Sequence, residues 1–194
     1  MMFDSGYSIV ELVFVTSLCL TLSAVAVPQT LTGLDDIRAE GAARYVATRF
    51  QRARMEAVMQ STAVAVQFTQ AAGSYAYAMY VDGNRNGVLT RDIQRGADRR
   101  LGAVERLSDQ FTGVDFGAVP GLPAVDSGGT PPGTDPIRLG AGNLVSFSAA
   151  GTSSSGSVYI RGRRTAQFVV RVFGETGKTR VLKFDGRSRQ WKPL

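Results

Sequence analysis

The sequence predicts an α+β chain in which a long N-terminal helix, membrane-spanning in its first part and amphipathic in its second, packs on an antiparallel β-sandwich. Three observations predict it. Residues 7–27 form an apolar run; apolar residues then recur at three- and four-residue steps to about residue 60; beyond that the period falls to two, in short runs separated by glycine-rich turns.

In residues 7–27 the only polar side chains besides Glu11 are hydroxyls. At 1.5 Å per residue such a helix spans roughly 30 Å, about one hydrocarbon core. A carboxylate at the centre of a bilayer costs on the order of 2.5–3.5 kcal/mol, so Glu11 belongs near the interface or beside a cation. Cys19, the one cysteine, lies within the run and reads as a small apolar filler.

Residues 28–60 continue the helix as a soluble one. Leu34, Ile37, Ala42, Tyr45, Val46, Phe50, Ala53 and Ala57 form a stripe, with arginines between them. Pro28 removes a backbone donor and crowds the preceding turn, which predicts a kink there. The rest, 61–194, reads as one globular β-rich domain. Strands are expected over 64–68 and 75–81, joined as a hairpin, then 145–147, 157–161, 167–173 and 180–185, without intervening helical period. Between Phe116 and Asn143 lie five of the seven prolines and many glycines, so 117–143 is expected to be a long mobile surface loop.

Composition narrows the chemistry. The 194 residues contain no histidine, and no GxSxG elbow, P-loop or dinucleotide fingerprint accompanies the serines and carboxylates. The sequence predicts neither an enzyme nor a cofactor. Asp82, Asn84 and Asn86 precede Gly87 at the spacing of a calcium loop, but Ile93 stands where the bidentate acid belongs and Asp92 is one residue off. A polar turn after a strand accounts for DGNRNG without metal. Net charge is +6; the last 38 residues hold ten Lys or Arg against two acids, 10 − 2 = +8, so the remainder sums to −2.

Gly6, the aromatic Tyr7, three further residues, Glu11 and then an apolar helix together resemble the class III signal of type IV pilins and type II secretion pseudopilins. Pro28 falls where that family has its helix-kinking proline. The helix sequence AARYVATRFQRARMEAV, the YVDGNRNG turn and the closing FDGRSRQW extend the resemblance, over nearly the whole chain, to the GspH/FimT family. Family leaders carry a Lys or Arg before the glycine, whereas Asp4 is the charge ahead of Gly6 here. The resemblance implies a pilin-like fold and a leader, 1–6, cut between Gly6 and Tyr7 by a prepilin peptidase that methylates the new amine. Glu11 would then pair with the terminal amine of a neighbouring subunit.

The role so implied is that of a minor pseudopilin at the tip of the type II secretion pseudopilus, for protein export across the outer membrane. It would be anchored in the bacterial inner membrane by one span, with its domain in the periplasm. Its partners would be other pseudopilins or minor pilins, the prepilin peptidase, an inner-membrane assembly platform and the lipid bilayer. The alternative is a FimT-like minor pilin of a type IV pilus that binds DNA for uptake. Gly186, Arg187, Ser188 and Arg189 match the GRxR motif associated with DNA in some members. If extended, Arg187 and Arg189 project to one face, and Lys192, with Arg161, Arg163, Arg164 and Lys183, would enlarge a phosphate-facing strip. Trp191 either stacks on a base or covers a sheet edge.

Overall fold

The computed structural model describes residues 8–71, 73–140 and 142–194. It divides into two compact units that part between Leu34 and Asp35. Helix α1, Ile9–Met59, contributes its first part to the N-terminal unit and residues 35–59 to the second, and is helical without interruption through Pro28.

The N-terminal unit contains a helical window of mean hydropathy 2.2 with none of its residues buried in protein, long and apolar enough to cross a membrane. Its threonine hydroxyls bond back to the helix's own carbonyls. Thr16 donates to the Leu12 carbonyl at 2.9 Å, Thr30 to Ala26 at 2.9 Å and Thr32 to Pro28 at 3.0 Å, so these side chains need no water.

In the second unit, α1 is followed by β1 (Val64–Ala71), β2 (Ser74–Val81), α2 (Thr90–Arg95), β3 (Arg99–Arg106) and α3 (Leu107–Gln110). After these come β4 (Asp115–Phe116), β5 (Ile137–Arg138), β6 (Leu144–Phe147), β7 (Gly156–Arg161), β8 (Gln167–Val172), β9 (Thr179–Asp185) and β10 (Gln190–Pro193). Every pairing is antiparallel. One sheet runs β3-β2-β1-β6 and the other β10-β9-β8-β7-β4, with β5 also on β7. The strands expected from the period-two runs are all present, within a few residues of their expected ends. Two short helices, α2 and α3, and strands β3, β4, β5 and β10 were not expected. The outer strand β3 is exposed at most positions, so no apolar alternation announces it.

The helix presents Ala39, Ala42, Ala43, Val46, Phe50, Ala53 and Ala57 to a core shared with both sheets. Alanines let the backbones approach, and Phe50 fills the space between them, edge-on to Phe68 at 6.2 Å and tilted against Phe147 at 6.4 Å. Two members of the expected stripe are corrected: Leu34 is 41% exposed and Ile37 69%. The buried line starts instead with Asp35 and Ala39, about one residue round the helix.

Strands β7 and β8 are buried on both faces. Val158, Ile160, Phe168, Val170 and Val172 enter the main core, while Tyr159 and Val169 face a second cluster with Ala118 and Leu122. The segment 117–143, expected as a mobile surface loop, is therefore tied to the sheet over its first part. The buried Gln167 amide donates to the Gly117 carbonyl and accepts the Val119 amide, and Ile137 is buried in β5; residues 126–131 are exposed.

Replacing Phe50 with Ala should lower unfolding free energy by about 3–5 kcal/mol, whereas Ile37→Ala should change it by less than about 0.5 kcal/mol. Urea unfolding of the detergent-solubilised chain, followed by near-ultraviolet circular dichroism, checks both; equal losses would overturn the helix orientation.

Candidate functional site

Three turns of the second unit surround an open groove of about 1050 Å³: the 117–122 segment, the β7–β8 turn and the β9–β10 turn. The sequence alternates apolar residues up to Phe184 and then presents Gly186 and three polar residues, so β9 stops and the chain reverses through 186–189. The Asp185 carboxylate organises the reversal by accepting the Arg187 amide at 2.9 Å and the Lys192 ammonium.

The β7–β8 turn is built by a residue of the helix. The Asp35 carboxylate accepts the amides of Arg163 at 2.7 Å, Arg164 at 2.9 Å and Ala166 at 3.5 Å. A side chain at position 162 would put its Cβ 2.6 Å from that carboxylate, so glycine is required there. With its own backbone held, the turn exposes the Arg163 and Arg164 side chains to solvent. One residue on, Asp36 pairs with Lys183 at 2.8 Å.

The structure places the expected DNA-contacting residues as follows. Gly186, Arg187 and Arg189 lie in a turn, not an extended strand, and Arg189 has φ 53°, so the two arginines do not form a ladder on one strand face. The Arg189 guanidinium folds back to the Gly121 carbonyl at 3.2 Å, and Lys192 is engaged by Asp185. Arg164, Lys183 and Arg187 line the same groove. Trp191 covers the sheet: it packs on Tyr159 and Phe184 and donates its indole N–H to the Pro123 carbonyl at 3.1 Å.

No family model, curated protein or solved structure matches the chain. Glu11 is exposed in the first turn of α1, where the helix dipole favours a negative charge. Gly6 and Tyr7 lie outside the described residues. Pro28 sits within the helix, with the Ala24 carbonyl deprived of its usual amide donor.

The DGNRNG loop closes on its own backbone. Asp82 accepts the amides of Asn84, Arg85 and Gly87 at 3.0, 2.7 and 2.8 Å; Asn84 accepts the Asn86 amide; and the Asn86 side chain donates to Asp92. Gly83 packs so closely that a Cβ would meet the Ala97 carbonyl at 2.0 Å. Among the described residues no three His, Cys, Asp or Glu side chains gather as a metal-binding group. A second, smaller cavity of about 200 Å³ is bordered by Arg49, Tyr77 and Glu105. There Glu105 pairs with Arg49 and accepts both the Tyr45 and Tyr77 hydroxyls, so the cluster clamps β3 to α1. Burial first, and the Glu105 charge second, push the Tyr77 phenol well above its ordinary range.

Asp35 escaped the sequence reading. The available signal was its phase: an acid four residues before Ala39 falls on the buried line of the helix. The carbonyls of Gly121 and Pro123 left no signal, because any residue supplies a backbone acceptor.

Asp35→Ala should cost on the order of 3 kcal/mol by orphaning buried amides, and Asp35→Asn less, since one oxygen acceptor remains; chemical denaturation of the full chain in detergent checks the order. The Lys192 ammonium, followed by the Arg187 amide, holds the Asp185 carboxyl well below the usual carboxylate range. A depressed carboxyl stabilises above its unfolded pKa and loses that contribution only as pH falls through the folded value. The Arg187 amide resonance should therefore stay unmoved down to about pH 4, where an ordinary aspartate is half protonated, and a transition at that pH would overturn the contact.

Proposed function

We propose that the chain is a pilin-like filament subunit, a minor pseudopilin that assembles at the tip of the type II secretion pseudopilus. In this reading it is held in the bacterial inner membrane by one span, with its β-rich domain in the periplasm. The observation that carries the reading is the division of labour along α1. Its first part is apolar on every side with an acid in the first turn, and its later part sinks a narrow stripe into antiparallel sheets.

That division suits a subunit that must live in two surroundings. Before assembly the apolar part is solvated by lipid; in a filament the same surface packs against neighbouring helices. A carboxylate in such a surface is costly in either place unless a cation meets it. The amine created by cutting between Gly6 and Tyr7 on an adjoining subunit supplies that cation with a length of chain already in the same layer. The sheets contribute rigidity, and their exposed surface offers contacts to other subunits.

When the chain is expressed in membranes together with a prepilin peptidase, intact-mass spectrometry should find an N-terminus at Tyr7 carrying one methyl group. Glu11→Ala should leave cleavage intact and sharply reduce incorporation into sheared filaments. Retention of Met1 or Met2, or full incorporation of the variant, would remove the reading.

A further inference from the structure

The direction of β9 against α1 places the basic groove at one end of the second unit. Gln51 of the helix donates to Thr179, at the start of β9, at 2.9 Å, whereas Asp36 holds Lys183, four residues further along the strand, at 2.8 Å. Going along β9 thus means going back along the helix toward its N-terminus. The 186–189 turn lies beyond Lys183 in that direction, and the β7–β8 turn is tied to Asp35, the first residue of the unit. At the other end, Arg54 reaches the Gly151 carbonyl. The groove therefore sits at the Asp35 end of the second unit.

Val27, the last residue of the apolar run, precedes Asp35 by eight residues in the sequence. Even fully extended, eight residues reach at most about 28 Å, so the chain itself keeps the Asp35 end of the second unit within reach of the headgroups that flank the run. Asp36 and Asp185 pair with Lys183 and Lys192, whereas Arg163, Arg164, Arg187 and Arg189 make no ion pair among the described residues. Val119, 39% exposed, adds an apolar residue on the groove wall.

We propose that this end of the domain docks on the anionic phospholipid headgroups of the membrane that anchors the chain. The guanidinium groups take lipid phosphates, and Asp35 acts as the positioning residue that turns Arg163 and Arg164 outward. The inference rests on the reading of residues 7–27 as a bilayer span. Four arginines set on two separate turns suit a plane of separate phosphates better than the continuous backbone of a duplex, which a strand ladder would track.

The test uses the full chain carrying Cys19→Ser and a fluorophore on either Thr165→Cys, in the β7–β8 turn, or Glu175→Cys, in the β8–β9 turn. Each is reconstituted in phosphatidylcholine vesicles with or without phosphatidylglycerol, plus a lipid bearing a headgroup nitroxide. Quenching at position 165 should rise with phosphatidylglycerol and fall with salt, while position 175 stays unquenched. Arg163→Gln and Arg164→Gln should each weaken the docking equilibrium about fivefold, with Lys at either position restoring it; the Asp35 contacts use only backbone amides, so these variants keep the fold. Quenching indifferent to phosphatidylglycerol would overturn the proposal, as would a label that answers duplex DNA in neutral vesicles and ignores anionic lipid. Alkaline carbonate extraction separates the two readings: a chain that resists extraction yet shows no lipid dependence fails the docking alone, whereas a chain that is stripped off fails the span and the docking together.

Discussion

A single carboxylate on the buried side of α1 sets the geometry of the second unit. Asp35 sits in line with alanines that approach the sheets closely, and a charge there is tolerated only because three backbone amides of the β7–β8 turn converge on it. Those amides belong to a reversal with no strand partner of its own, so each side satisfies what the other cannot. The contact fixes the helix both in rotation and in translation against β7 and β8. An apolar stripe alone specifies rotation well and translation poorly, because alanines are alike; one directional interaction removes that freedom.

Everything packed outward from that contact follows the same division between non-directional burial and directional pinning. Phe50 and the aromatic group around Phe68 and Phe116 fill the core, with Phe68 and Phe116 edge-to-face at 5.2 Å. The helix stripe supplies little volume, so the sheets supply it. Directional contacts then fix the pieces that burial leaves free: Glu105 binds the outer strand β3 to Arg49 of the helix, and Gln167 ties the 117–119 segment to β8. Both are polar groups placed where an irregular or exposed stretch meets a regular one.

The sequence showed the strands of the sheets plainly, because VAVQF, YAYAMYV, SVYIR and QFVVRV are apolar, β-branched and bounded by glycine or serine turns. It showed the long helix equally plainly. It misplaced the stripe at its upstream end, since Leu34 and Ile37 are larger than Asp35 and Ala39 and hydropathy alone selects the larger pair. The proline-rich 117–143 stretch looked like a loop because proline and glycine bar it from a ladder; what fastens it is backbone carbonyls and a buried glutamine amide, which leave no periodic trace. The candidate groove was half legible. Its arginines stand out in the sequence, but their arrangement depended on whether GRSR extends or turns, and the Asp185 acceptor with an αL residue at Arg189 decides for the turn.

The turn matters to function because it changes what the positive charge can do. Arginines alternating on a strand track a linear polyanion, whereas arginines on the β7–β8 and β9–β10 turns are gathered at one end of the second unit. Each arginine near an anionic surface contributes about 1 kcal/mol, so four together would hold the domain with roughly 4 kcal/mol, small beside the bilayer burial proposed for residues 7–27. Docking of that size orients the domain without anchoring it. In the proposed role, a subunit that first rests at a membrane and is later drawn out of it would benefit from that ordering of strengths: the lipid contact would yield to the pull that extracts the helix, while the Asp35 contact, held by several amides, would keep residues 35–59 and the sheets together.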